Sequence, residues 1–251
     1  MSSSPARYDR IGTTYTRTRR ADPRVAARLH TALGDARRIV NVGAGTGNYE
    51  PEDRDVVAVE PSPTMYAQRR EDAAPVVRAV AAALPFPDAT FDASLAVFTV
   101  HHWPDPARGL AELARVARRQ VFLSFDAVLD NEFWLVADYF PEIRALDTSG
   151  DAHASIGIMR VLDVHTVEPM PVPADCVDGF AACFWNRPEA YTDPDVQAGI
   201  SCLAMLPAAV RERGTAHLRG DLESGEWDAR HGELRALTEL DVGYRLIVAG
   251  A

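Results

Sequence analysis

A short β-branched run, Ile39-Val40-Asn41-Val42, leads straight into Gly43-Ala44-Gly45-Thr46-Gly47, and this junction constrains the fold more than any other part of the chain. A brief apolar run without polar alternation reads as a strand buried on both faces, as in a parallel sheet. Glycines directly after it permit a tight turn and let a ligand approach the backbone, while the next segment offers free N–H groups. In dinucleotide enzymes that helix start faces a pyrophosphate. The spacing here is GxGxG, and Asn48 stands where the dinucleotide fingerprint would have its third glycine. Taken alone, the turn allows a dinucleotide, another nucleoside cofactor or no ligand at all.

The rest of the chain extends the pattern. Residues 56–59 form a second buried strand closed by Glu60-Pro61, and residues 76–80, 93–100 and 120–125 read as three more. Asp22-Pro23 reads as an N-cap followed by proline in the first helical turn, with Gly34 as the stop. Arg-rich residues 6–20 are a further helix-like segment, and Ser62 with Pro63 opens a helix towards Arg70. Apolar residues at 107, 110, 111, 113, 114 and 117 give residues 106–118 one greasy helical face. Residues 133–146 look helical with a break at Pro141, and residues 164–172 and 244–249 supply a sixth and a seventh strand. Strands alternating with helices predict an α/β fold: a Rossmann-like, doubly wound, seven-stranded sheet with helices on both faces. Residues 174–242 are too long for an ordinary connection and read as a helical cap inserted before the last strand, over the sheet's carboxyl edge. The expected organisation is an N-terminal helical segment at 1–34, a core at 35–173 and 243–251, and a cap at 174–242.

Composition narrows the partners. With 36 acidic against 26 basic residues the net charge is −10, which argues against nucleic acid as the principal partner. The N-terminus has no apolar stretch, and no segment reaches membrane-spanning length, so a soluble cytoplasmic protein acting on a small molecule is expected. Cys176, Cys183 and Cys202 form no metal-ligand spacing, and His153 and His165 lack companions, so no metal is expected. Oligomeric state is left open.

Glu60 sharpens the cofactor choice, because a carboxylate closing the second strand can accept hydrogen bonds from both hydroxyls of a ribose. VNVGAGTG at 40–47, VVAVEPS at 56–62, ALPFPDATFDAS at 83–94 and AVFTVHHWPD at 96–105 resemble the ordered motifs of class I S-adenosylmethionine-dependent methyltransferases. The branch they are most similar to is the type 11 group, related to ubiquinone- and menaquinone-biosynthesis methyltransferases. The opening YDRIGTTYTRTRRADPR resembles the N-terminal segment that covers the cofactor in bacterial members. The resemblance implies a last strand antiparallel to the fifth and S-adenosyl-L-methionine lying across the carboxyl ends of the first strands. It implies that Gly43, Ala44, Gly45 and Gly47 border the methionine and ribose, that Glu60 holds the ribose diol, and that Pro61, Met65 and Ala81 surround the adenine. Val97, Phe98 and Thr99 would lie beneath the sulfonium. Two positions depart from the family: Asn41 replaces the common acid, while still able to accept a hydrogen bond, and Ala82 stands where relatives often carry an acid.

Methyl transfer mainly needs alignment and exclusion of water, with a base only where the acceptor carries a proton. His101 and His102, just past the fourth strand, are the candidate bases. Tyr8 and Tyr15 could close over the cofactor, and Arg19 could pair with the methionine carboxylate. Trp134, Phe180, Phe184 and Trp185 are candidate walls for an apolar or aromatic acceptor. The expected activity is methyl transfer to a small-molecule metabolite. Two alternatives stand beside it: an adenosylmethionine-binding protein that transfers no methyl, and an NAD(P)-dependent oxidoreductase.

Overall fold

The computed structural model describes residues 18–126, 129, 132–146 and 154–251. Tyr8, Tyr15 and most of the segment 6–20 lie outside the described residues. A single sheet of seven strands organises the rest: β1 (Arg38–Val42), β2 (Asp55–Val59), β3 (Val76–Val77), β4 (Phe91–Val97), β5 (Ala117–Phe125), β6 (Val164–Pro169) and β9 (Tyr244–Gly250), in the order β3-β2-β1-β4-β5-β9-β6. The first five run parallel. β9 inserts antiparallel between β5 and β6. The chain winds outward from β1 to β3 and then returns to place β4 on the other side of β1. That reversal opens a crevice at the carboxyl ends of β1 and β4, where open α/β sheets bind ligands.

Alternation along the strands divides the core into two layers. Ile39, Leu95, Val121, Leu123 and Leu246 face one way and meet Val25, Leu29 and Leu33 from helix α1 (Pro23–Ala32) and its end. Val40, Ala96, Phe122 and Ile247 face the other way, against Leu110 and Leu113 of α3 (Pro106–Val116) and Ile158 of α4 (Ala154–Val161). Helices therefore cover both faces, and burying each such side chain contributes about 1.5–3 kcal/mol. The cue at Asp22-Pro23 works as read: the Asp22 carboxylate accepts the Arg24 amide N–H at 3.0 Å, and Gly34 leaves the helix with φ +61°. Between β2 and β3, α2 (Pro63–Tyr66) is a single turn rather than a helix reaching Arg70, capped by the Ser62 hydroxyl.

The insertion before β9 begins and ends on one short antiparallel pair, β7 (Val172–Pro173) with β8 (Glu239–Leu240). Pro173 and Leu240 thus clamp the two ends of a long excursion containing α5 (Pro194–Gly199), α6 (Ser201–Met205), α7 (Ala208–Ser224) and α8 (Glu226–His231). Its large side chains, Trp185, Tyr191 and Trp227, are fully buried and continue the core layer on the α1 side. Ahead of it, residues 135–139 wind as a π-helical turn and Pro141–Leu146 as a 3-10 helix. The helical reading of 133–146 with a break at Pro141 is thus met by two tighter and wider turns instead of one α-helix. Phe98, with φ +51°, ends β4 earlier than the apolar run suggests.

Candidate active site

The glycine turn follows β1 and is drawn under β2, where the Gly43 and Ala44 N–H groups donate to the Val59 carbonyl at 2.9 and 3.1 Å. Gly43 has φ +70°, and a Cβ there would fall 1.9 Å from Thr99 Oγ1 at the end of β4. Only glycine fits between those two strand ends. Gly47 plays a different part: a Cβ there would press on Glu50 Oε2 at 2.9 Å, behind the turn.

A cleft of about 320 Å³ opens over these strand ends, within the range of small-ligand sites. Twelve of the residues expected to hold the cofactor line it: Arg19, Asn41, Gly43, Ala44, Gly45, Glu60, Pro61, Met65, Ala81, Val97, Phe98 and Thr99. Gly47 lies behind it. Glu60 is 5% exposed; its carboxylate accepts the Gly45 N–H and the Ser62 N–H, each at 2.8 Å. Two backbone donors thus fix the carboxylate across the turn. Buried Met65 and Ala81 give the cleft an apolar end beside it.

At the end of β4, the Trp103 indole N–H donates to Thr99 Oγ1 at 3.1 Å and its ring also lines the cleft. The ring rests on Gly109 of α3, where a Cβ would come within 2.5 Å. His101 and His102 sit in the 3-10 turn Val100–His102 with ring centroids 3.8 Å apart. His102 lines the cleft, whereas His101 turns its ring towards Phe125 at 4.9 Å. Phe98 packs against Phe180 and Tyr244, both at 5.2 Å, so one cap residue backs a ring that lines the cleft.

Trp134, Trp185 and Phe184 are placed elsewhere than the expected acceptor wall. Trp134 donates its indole N–H to the Trp185 carbonyl and Trp185 donates to the Val172 carbonyl, each at 2.9 Å, inside the cap's core. Phe184 packs on Tyr191 and under the Arg187 guanidinium. None of the three lines the cleft, because their apolar surface is already satisfied by the cap.

Two charged groupings at the site have no sequence signature. Arg19 Nε meets Asp178 Oδ1 at 2.5 Å and Tyr49 OH donates to Asp178 Oδ2 at 2.7 Å, with Asp178 wholly buried. Burial, then the adjacent Asp178 charge, pushes the Tyr49 hydroxyl well above its ordinary range, so it stays a donor. This cluster ties the N-terminal segment to the cap at the cleft's edge. The second grouping is a buried ion pair, Arg69 Nη2 to Glu50 Oε2 at 2.7 Å, with Asn41 Nδ2 donating to Glu50 Oε1 at 3.0 Å. Residues 41, 50 and 69 are too far apart in sequence for any periodic rule to join them. Asn48, another lining residue, has a buried side-chain N–H group without a protein partner.

Away from the cleft, Cys176 and Cys183 are buried; the Cys183 thiol donates to the Cys176 carbonyl at 3.2 Å, and the neighbouring Cys176 side chain together with burial pushes Cys183 far up, leaving it protonated. Among the described residues no group of three or more His, Cys, Asp or Glu side chains could hold a metal ion. Among them, too, no helix is long and apolar enough to cross a membrane.

The arrangement fits an adenosine-containing amino-acid cofactor: a buried carboxylate at the end of β2, an apolar slot, and polar side chains of both signs beyond the turn. Known proteins agree. A family model for a methyltransferase domain (Methyltransf_11) matches residues 40–125. A solved structure described as a methyltransferase from an antibiotic biosynthesis pathway of Anabaena variabilis superposes with TM-score 0.84 at 32% identity, over 93% of this chain and 99% of that one. The chain is 33% identical to a 2-methyl-6-phytyl-1,4-hydroquinone methyltransferase of Oryza sativa subsp. japonica, over 39% of this chain but only 31% of that protein. The curated relatives are therefore matched over about a third of their length. The cyclase SpnF shares the fold, with TM-score 0.54 at 14% identity over 100% of this chain and 97% of that one. On its fold, its ordered motifs and its full-length relative, the chain belongs to the class I S-adenosylmethionine-dependent methyltransferases.

Proposed function

We propose that this methyltransferase binds S-adenosyl-L-methionine in the cleft over β1, β2 and β4 and methylates an apolar or aromatic small molecule. Glu60 carries the reading: a buried carboxylate at the end of β2, held by two backbone N–H groups, at the mouth of an apolar slot. It would accept both ribose hydroxyls, with Met65, Pro61 and Ala81 around the base. Arg19 would meet the methionine carboxylate.

The cofactor, when bound, supplies a methyl carbon already activated by a positive sulfur. The chain's own work is then alignment and exclusion of water. Phe98, backed by Phe180 and Tyr244, would offer the acceptor an apolar wall at the end of β4. His102 would take a proton from an acceptor hydroxyl or amine, with His101 packed behind it. The hydroquinone specificity of the rice relative supports an aromatic acceptor, and the net charge of −10 supports a small molecule rather than nucleic acid.

The test is transfer of a labelled methyl group to a panel of hydroquinones, phenols and aliphatic alcohols. Label on an apolar aromatic acceptor is the expected outcome, with His102→Ala lowering kcat by about 100-fold while leaving cofactor affinity intact. Tight cofactor binding without S-adenosylhomocysteine formation across the panel would contradict methyl transfer and favour use of the cofactor for another reaction.

A further inference from the structure

Asparagine is nearly symmetric in shape but not in chemistry. One end of its amide accepts hydrogen bonds and the other donates, and the surrounding network decides which end faces a ligand. At position 41, on the floor of the cleft, that choice is forced. Glu50, as a carboxylate, only accepts, and its Oε1 takes the Asn41 Nδ2 group at 3.0 Å. The accepting carbonyl end of Asn41 is thereby left on the cleft side.

Glu50 can hold this position because Arg69 holds Glu50. Arg69 Nη2 lies 2.9 and 2.7 Å from the two carboxylate oxygens, and the pair's side chains are only 5% and 8% exposed. Further guanidinium donors reach the Gly45 carbonyl at 3.2 Å and the Ala74 carbonyl at 3.0 Å. The pair is thus anchored to the glycine turn and to the loop before β3. Gly47 leaves it room, since a Cβ there would meet both Glu50 and Arg69. An acid at position 41 would set two carboxylates against one guanidinium. In this chain the negative charge stands one layer back, at Glu50, and a neutral amide lines the cleft.

We infer that Glu50 and Arg69 are positioning residues that turn the Asn41 carbonyl towards the cleft to accept from the ammonium group of the cofactor's amino-acid end. The inference rests on reading the cleft as an adenosylmethionine site. It assigns work to Glu50, Arg69 and Gly47, none of which lines the cleft, and it makes a demand on ligand chemistry. Only ligands with an ammonium group should depend on this network.

Calorimetry with three ligands separates this role from simple support of the turn. Wild-type protein, Glu50→Gln and Asn41→Leu are each titrated with S-adenosylhomocysteine, with its analogue lacking the amino group, and with 5′-methylthioadenosine, which lacks the whole amino-acid end. Gln at 50 can donate as well as accept, so Asn41 is no longer held. Glu50→Gln is expected to weaken S-adenosylhomocysteine by about 10- to 100-fold while leaving the other two ligands unchanged. Equal weakening of all three ligands, or of none, overturns the inference alone. If Glu50→Gln does not fold, Asn41→Leu, which leaves the Glu50–Arg69 pair whole, must show the same selective loss, and full affinity there overturns it. Wild-type protein that binds none of the three overturns the reading of the cleft, and this inference with it.

Discussion

The two sides of the cleft are built by opposite means. On the glycine-turn side, polar groups dominate and each is placed by another: Glu60 by the Gly45 and Ser62 amides, Asn41 by Glu50, Glu50 by Arg69. On the cap side, aromatic rings fill a continuous interior, with Trp134 edge-on to both Tyr191 and Trp227 at 5.5 and 5.3 Å. The first side is preorganised hydrogen bonding suited to one ligand chemistry. The second is packing that stabilises the insertion, and it meets the cleft's lining through Phe180 behind Phe98 and Asp178 beside Arg19. On the proposed function, the difference makes cofactor and acceptor recognition separable: one would be fixed by local strand ends, the other by how a long insertion folds back.

That separation can be broken by mutation. Trp185→Ala should remove the largest share of stability, about 3–5 kcal/mol from the buried indole. Urea unfolding checks the loss, and the folded fraction should keep its S-adenosylhomocysteine affinity. Gly43→Ala should do the reverse. Positive φ and the clash with Thr99 together cost about 2–4 kcal/mol, and the distortion falls on the cleft itself. Cofactor affinity measured by calorimetry should collapse along with a drop in urea midpoint. A variant that kept full affinity would contradict the placement of the turn against β4.

Asp22 tests the joint between the two sides, because its carboxylate caps α1 and also accepts the Val177 N–H of the cap segment at 3.3 Å. Burial alone would raise its pKa, but the hydrogen bonds from the Arg24 side chain and from the Arg24 and Val177 amides outweigh that and hold it at about 2. A lowered folded-state pKa means stability that is present above the unfolded value of about 4 and lost as pH falls towards 2, at most about 2 kcal/mol. The stability gap between wild type and Asp22→Asn should therefore shrink between pH 4 and pH 2. Thermal unfolding across that window checks it, and a gap that widened on acidification would contradict the sign. The smallest expected effect is Phe180→Leu, costing about 1 kcal/mol or less in stability. It should change the KM for an aromatic acceptor while leaving that for the cofactor alone.

How far the sequence could be read follows the same division. The succession of strands was legible, as were Asn41, Gly43, Glu60 and Thr99 in the cleft's lining, because each sits beside a strand end marked by its own short motif. The N-cap at Asp22 was legible for the same local reason. The Glu50–Arg69 pair and the Arg19–Asp178–Tyr49 cluster were not, since their partners meet only after the chain has folded. Aromatic residues in the insertion carry no mark of direction. Trp134, Trp185 and Phe184 could be counted in the sequence, but whether they face ligand or core depends on packing between distant segments. The helical turns at 135–146 escaped for a related reason: apolar spacing there fits an α-helix, and the π and 3-10 geometry is imposed by what they pack against.

The most direct test of the account is the ribose contact at Glu60. Calorimetric titration of wild-type protein with S-adenosylhomocysteine should show one site, and Glu60→Ala should weaken it by about 2–4 kcal/mol through loss of two charge-assisted hydrogen bonds. Because Glu60 also holds the Gly45 amide, urea unfolding of the variant shows whether the turn survives. Weakened binding in a folded variant is the result the account predicts; unchanged affinity in Glu60→Ala would contradict it.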